Sequence, residues 1–447
     1  MSFAAQAAGG SGNADDLRYL SPRRPLALSR RPHPRTKLAV AYHDLVVPAA
    51  FTAPLASTPD SRGGETLVSP EALDVVCLSL EPWDEVWRRN QHLASRMVRL
   101  RPAMRLLFVE LPVDMAWSLR HGRWTRPGPL RQVGDSGQLW AMTPRKWLPR
   151  KLWPRGDHSL GSQVLRAVRQ LRLERPVLWI NDSTYAPLID RTGWPSVYDV
   201  TDDWLLVGNT PRERERQERN DALMMECADQ VVVCSPSLAE SRGRLRPVHL
   251  ISNGVDLESL RAPTRRPDDL PPGPILLYQG TMSVDRLDLD LCLALARAVS
   301  GRATLVFVGP NSLEPRATAA LTAEGAVVLG PRPYRDVPAY LQHADLLVVP
   351  HAVTPFVESL DPIKAREFLA VGRPVVSTPV AGFRGLDPPI TAAPPTEFVD
   401  VVVGRLERAA LPPGPGPLVH EVATWSGQAE AFLAVLDAAV SVPNGRR

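Results

Sequence analysis

Hydrophobic and polar positions fall into two successive series of alternating elements. Short apolar runs of the kind buried on both faces of a parallel sheet alternate with longer stretches of helical spacing. In the first series the pattern predicts strands at Val75–Leu80, Arg105–Glu110, Pro176–Ile180, Ser196–Val200, Gln230–Cys234 and Val248–Ile251, and a helix over Asp84–Leu100. A proline-rich, charged stretch over residues 261–274 then breaks the pattern and reads as a linker. The second series predicts strands at Ile275–Tyr278, Thr304–Val308, Ala326–Leu329, Asp345–Val349 and Pro374–Ser377. Its helices are expected at Asp285–Val299, Tyr334–His343 and Pro362–Val371, with a last helix at Glu421–Val440 after a Pro-Gly loop. Such alternation argues for α/β architecture: two doubly wound Rossmann-like domains facing across a cleft.

The expected organisation is a poorly ordered Pro/Arg-rich extension (1–70), a first domain (71–262), a linker (263–274) and a second domain (275–418). A helix over 419–441 is expected to pack back toward the first domain, ahead of a short tail (442–447). A chain of 447 residues is long enough for two such cores. The four cysteines, Cys77, Cys227, Cys234 and Cys292, include no CxxC pair, which excludes a disulfide scaffold and a cysteine-built zinc site. Net charge is only +4, yet 48 of the 52 basic residues are arginine, a bias best read as genome composition. No apolar run reaches membrane-spanning length, and Met1–Asp16 lacks the pattern of a signal peptide, so a cytoplasmic, reduced protein is expected.

Ligands of open parallel sheets bind beyond the carboxyl ends of the strands. In the second series these ends are Gln279–Ser283, with Gly280 and Thr281; Gly309 with Pro310; Gly330 with Pro331; and Pro350–Asp361. Glycine admits close backbone approach, and a following helix N-terminus offers free N–H groups to a phosphate. Neither GxGxxG nor GxxxxGK[ST] occurs, which disfavours a dinucleotide enzyme and a P-loop NTPase. Between Glu358 and Pro379, Pro362 fits a helix start with Asp361 as its cap, and Lys364 and Glu367 share one helix face. Taken alone, that pair more commonly means a surface ion pair. Lys364 is, however, one of only four lysines and falls at the expected ligand edge.

Residues 358–379 resemble the nucleotide-binding signature of GT-B glycosyltransferases, specifically the family-4-type retaining enzymes, with the nearest likeness to a teichuronic-acid-type, cell-envelope branch. Further segments match in order: Trp87–Ala94, Tyr198–Asp203, Ala228–Ser235, Ile251–Asp256, Tyr278–Thr281 with Asp285–Asp288, and Phe307–Pro310. The resemblance implies a nucleotide-sugar donor (UDP-, GDP- or dTDP-linked), no permanently bound cofactor, no metal, and a glycan or lipid-linked acceptor. It places Glu367 at the ribose hydroxyls, Arg286 at the diphosphate, and Lys364 with Ser359, Leu360 and Asp361 around phosphate and sugar. Arg286 and Lys364 would stabilise the leaving group; no general base is implied.

Two departures from the family pattern are evident. A first glutamate is expected at Ser359, and the nearest one is its neighbour Glu358; the usual Gly-Gly loop is replaced by Glu81-Pro82-Trp83-Asp84-Glu85, leaving Arg89 or His92 to serve the phosphate. His92 on a helix otherwise reads more readily as a packed or solvated side chain, while Asp202 and Asp203 read equally as acceptor ligands or a helix start. Arg212–Arg216 alternates in sign and reads as a solvated helix face. Residues 120–155 hold nine basic residues against one acid, interleaved with four tryptophans. This stretch is either a docking patch for an anionic inner membrane leaflet or an insertion packed on the sheet; no nucleic-acid motif accompanies it. The competing classes are a non-hydrolysing sugar-nucleotide epimerase and a non-catalytic glycosyltransferase-like partner subunit.

Overall fold

Two parallel sheets, each wrapped by helices, meet with their strand carboxyl ends face to face. The structure is a computed structural model that describes residues 72–120, 130–147, 156–206, 210–408, 412, 414–418 and 420–442. The expected extension over 1–70 and residues 121–129 and 148–155 of the 120–155 patch lie outside the described residues. The first sheet runs in spatial order His249–Leu250, Gln230–Val233, Ser196–Val200, Val177–Ile180, Leu73–Leu78, Met104–Val109, Leu139–Met142 and Arg131–Gln132. All pairs are parallel except the last, which is antiparallel. The second sheet runs Val327–Gly330, Thr304–Val308, Ile275–Gln279, Leu346–Val349, Val375–Ser377 and Ile390–Ala392, all parallel.

Each sheet is buried on both faces, as wholly apolar strands demand. Alternate residues of Leu73–Leu78 enter different cores: Val76 and Leu78 one, Val75 and Cys77 the other. The second of these cores is completed by Trp425, Phe432 and Leu436 of the last helix, Trp425–Ser441. That helix follows the second sheet in sequence but packs beside Arg89–Leu100 on the first, where Arg101 holds Asp437 through two hydrogen bonds of 2.7 Å.

Several element bounds shift for identifiable reasons. The helix expected from Asp84 begins at Arg89, because the preceding backbone is committed elsewhere. Trp83 N–H donates to the Glu110 carboxylate (2.8 Å), Val86 N–H to Asp84 (2.9 Å), and Tyr334 N–H to the Glu85 carbonyl (2.8 Å). The helix expected from Asp285 begins at Leu289, since Asp288 caps it by accepting from Leu291 N–H. Residues 283–287 are thereby left as a turn that carries Arg286.

Strand order reverses between Leu73–Leu78 and Val177–Ile180 in one sheet, and between Ile275–Gln279 and Leu346–Val349 in the other. Such switch points open crevices for ligands. Here the two crevices face each other.

Candidate active site

The cleft between the two switch points encloses a cavity of about 320 Å³. Its second-sheet wall is built by Gly280, Thr281, Arg286, Gly309, Pro310, His351, Leu360, Asp361, Lys364 and Glu367, and its first-sheet wall includes Glu81, Arg89, Asn181 and Asp202. Gly280 and Gly309 have φ of +137° and +140°. A Cβ on Gly309 would lie 2.2 Å from the Gly280 carbonyl oxygen, and one on Gly280 would lie 2.4 Å from Lys364 Nζ. Glycine is therefore needed at both strand ends, and the backbone there is open to the cavity. Gly309→Ala is expected to lower unfolding free energy by about 2–4 kcal/mol, seen as a lower denaturant midpoint.

Lys364 and Glu367 lie on helix Ile363–Val371, and both are buried. Lys364 Nζ donates to Tyr278 Oη (3.0 Å), lies 3.4 Å from His351 Nε2, and sits 4.4 Å from the Tyr278 ring centroid. Burial, reinforced by Arg286, pulls its pKa down to about 7, against the opposing charge of Glu367. Burial likewise pushes Glu367 up to about 7, opposed by Lys364. His351 is held well below its usual range by burial, then by Lys364 and Arg286. Glu367 is only 3% exposed. Among the described residues it has neither a hydrogen-bond nor an ion-pair partner, although it lines the cavity. The Arg286 guanidinium also has no side-chain partner among the described residues. An unpaired cation and an unpaired buried carboxylate in one polar cleft describe a site waiting for charge and hydroxyl groups.

Other expected site residues are placed differently. Asp361 does not cap the helix; Pro362 occupies that position. The Asp361 carboxylate instead accepts from Asn253 N–H (2.6 Å) and Arg366 (2.6 Å), tying the donor-side loop to the first domain. Glu358 turns out of the cavity to bind Arg384, so it does not take the place of the missing first glutamate. Ser359 is buried, its hydroxyl bonded to the Phe356 carbonyl and its own carbonyl accepting from Ser235. Leu360 lines the cavity with its neighbours.

On the first-sheet side, His92 is fully buried, stacked on Trp425 at 4.5 Å and edge-on to Tyr334, so it packs and does not face the phosphate. Arg89 reaches the cavity but is already committed to Asp199 (3.3 and 3.4 Å), the Ser252 carbonyl and Asn253. Arg89→Ala would leave Asp199 buried and uncompensated, so a loss of about 3–5 kcal/mol of stability is expected by chemical denaturation. Asp203 accepts from Leu205 N–H and pairs with Arg242, away from the cavity. Asp202 lines it. Asn253, Tyr278 and His351 were given no role from sequence, although each falls in a quoted motif or at a strand end. Glu81 occupies the departed Gly-Gly position, which was the one signal for it.

In the 120–155 stretch, Arg131 is paired with Glu110 (2.6 Å) and Lys146 with Asp114 (3.5 Å), while Trp147 is 54% exposed. In helix Pro211–Cys227 three of the five residues of the alternating run, Arg212, Arg214 and Glu215, are exposed, and Glu215 pairs with exposed Arg219, whereas Arg216 turns inward to Glu213 and Asp157. Among the described residues no helix is long and apolar enough to cross a membrane.

The sheet topology and cleft define the two-domain GT-B arrangement. The profile of the family described as "Glycosyl transferases group 1" matches residues 273–404. A Bacillus subtilis (strain 168) protein whose name assigns it to teichuronic acid biosynthesis as a glycosyltransferase, TuaH, is 27% identical over 222 residues. That match covers 46% of this chain and 56% of the relative, so the chain spans about half the length of the curated relative it matches. Among solved structures, the α,α-trehalose 6-phosphate synthase of Burkholderia multivorans superposes with a TM-score of 0.55 at 14% identity, covering 84% of this chain and 99% of that one. The UDP-forming enzyme of Burkholderia xenovorans gives 0.56 at 14% identity over 83% and 100%. An Escherichia coli trehalose-6-phosphate structure bound with UDP-2-fluoro glucose gives 0.52 at 13% identity over 82% and 95%. These likenesses speak to the fold.

Proposed function

We propose that the protein is a nucleotide-sugar-dependent glycosyltransferase that holds its donor against the second sheet and receives its acceptor from the first. The observation that carries this reading is the pairing, in one cleft, of the unpaired Arg286 with the buried, unpartnered Glu367 beside a glycine-built strand edge. A diphosphate has the charge and bidentate geometry that the guanidinium matches. Vicinal ribose hydroxyls are the donors that a lone buried carboxylate lacks. As the bond from anomeric carbon to phosphate oxygen breaks, negative charge develops on the departing diphosphate. Arg286 and Lys364 meet it at the second-sheet wall of the cleft. The acceptor hydroxyl oxygen forms the new bond to the same carbon, and its proton passes to the departing diphosphate or to solvent.

The name of the Bacillus subtilis relative supports a place in cell-envelope or exported glycan synthesis. Retention, independence of metal, a glycan or lipid-linked acceptor, and a cytoplasmic site at the inner membrane face are parts of this reading drawn from the sequence resemblance. The test is a panel of UDP-, GDP- and dTDP-sugars screened for thermal stabilisation, since a ligand at 100 times its Kd adds about 2.7 kcal/mol. Turnover is then measured with and without EDTA. No stabilisation by any nucleotide sugar would sink the donor site; an epimerised nucleotide sugar formed without acceptor would replace transfer by epimerisation.

A further inference from the structure

Among the described residues, the charged groups of the cleft that are free of an ion pair differ between its two walls. The second sheet brings the cations, Arg286 and Lys364. The first-sheet rim brings carboxylates: Glu81, three residues beyond strand Leu73–Leu78, and Asp202, two beyond Ser196–Val200. Glu367 lines the same cavity from the donor helix. The Glu81 Oε2 atom is enclosed and has no hydrogen-bond partner, and among the described residues the Asp202 carboxylate has none either. Burial pushes Glu81 up to about 7, with Arg88 opposing and Asp202 and Asp84 adding to the rise. Burial also pushes Asp202 up to about 6, with Arg286 and Arg89 opposing and Asp361 adding.

Three cations bear on this rim: Arg88 is paired with Asp84 at 3.2 Å, Arg89 with Asp199 at 3.3 Å, and Arg286, which opposes Asp202, is the group that would hold the diphosphate. With a diphosphate on Arg286 and Lys364, the space left for a sugar in the same cavity is bounded in part by this rim. Sugar hydroxyls can donate to Glu81 and Asp202. A sugar carboxylate there would meet like charge, with Arg286 already taken by the diphosphate.

We propose that the cleft selects an uncharged sugar, so that the transferred group is a neutral hexose or N-acetylhexosamine and a hexuronate donor is rejected, with Glu81 and Asp202 as the residues that reject it. This rests on the reading of the cleft as a nucleotide-sugar site. It also gives a function to the loop that replaces the usual glycines: Glu81 supplies a hydroxyl acceptor where a glycine would supply only space.

The experiment uses the full-length chain and calorimetry at pH 8, where both carboxylates are ionised. UDP, GDP and dTDP are each titrated bare, as the hexose conjugate and as the matching hexuronate conjugate. For the nucleotide that binds, the hexuronate is expected to bind at least about tenfold more weakly than the hexose. In the Glu81→Gln/Asp202→Asn variant the gap should close to within about threefold, and retained binding of the bare nucleotide reports that the variant is folded. A hexuronate that binds the wild type as well as the hexose would overturn the proposal. So would a gap that persists in the double variant. Failure of all three bare nucleotides to bind would overturn the donor-site reading itself, and this inference with it; bare-nucleotide binding with equal hexose and hexuronate affinity would overturn this inference alone.

Discussion

Arg286→Ala is expected to lower kcat by about 10²–10³-fold, with a smaller rise in the donor KM. The guanidinium is half-buried in the cleft and unpaired among the described residues, held at the turn that Asp288 terminates. Its attraction for the donor grows as charge moves onto the leaving diphosphate, so the loss falls mainly on the transition state. The fold should tolerate the change, because no ion pair is broken, and thermal stability should move by no more than about 0.5 kcal/mol. Arg286→Lys would restore the charge without the fork and recover part of the rate. Turnover within threefold of wild type in the alanine variant would remove Arg286 from the diphosphate.

Glu367→Ala is expected to move affinity and stability in opposite directions. Donor affinity should fall about 10–100-fold, the weight of one or two charge-assisted hydrogen bonds to ribose hydroxyls. Stability should rise. A glutamate whose folded pKa is raised from 4.5 to about 7 holds its proton more tightly folded than unfolded. The wild type therefore loses stability as pH climbs through that window, and the deficit is fully present above it. At pH 8 the variant is expected to be more stable by about 1–3 kcal/mol, a margin trimmed because Glu367 also supports the charge on buried Lys364. Near pH 4.5 the two should converge. Melting curves across pH with donor titrations check both halves; a variant destabilised at pH 8 would mean that Glu367 is a structural partner.

Much of the cleft was legible along the chain. Lys364 and Glu367 could be placed on one helix face because three-residue spacing does so in any α-helix. Gly280 and Gly309 could be placed at strand ends because apolar runs stop there. The misplaced residues share a different property. Asp361 has the sequence context of a helix cap, yet its carboxylate goes to Asn253, 108 positions away. His92 sits on a polar helix stretch, yet Trp425 stacks on it from the far end of the chain. Arg89 resembles a phosphate ligand, but Asp199, 110 positions on, has taken its charge.

By itself, then, the sequence determined the kinds of element, their order, and the two sheets whose carboxyl ends hold the chemistry. Those follow from periodicity and backbone preference, which act over a few residues. Only the tertiary structure decided which charged groups are spent and which are free. Pairing depends on side chains brought together from distant strands, so Arg89 and Glu358 became part of the framework. Arg286, Glu367, Glu81 and Asp202 were left facing the cavity. A buried or enclosed charge without a partner costs stability wherever it stands, and this fold keeps several of them in one cleft.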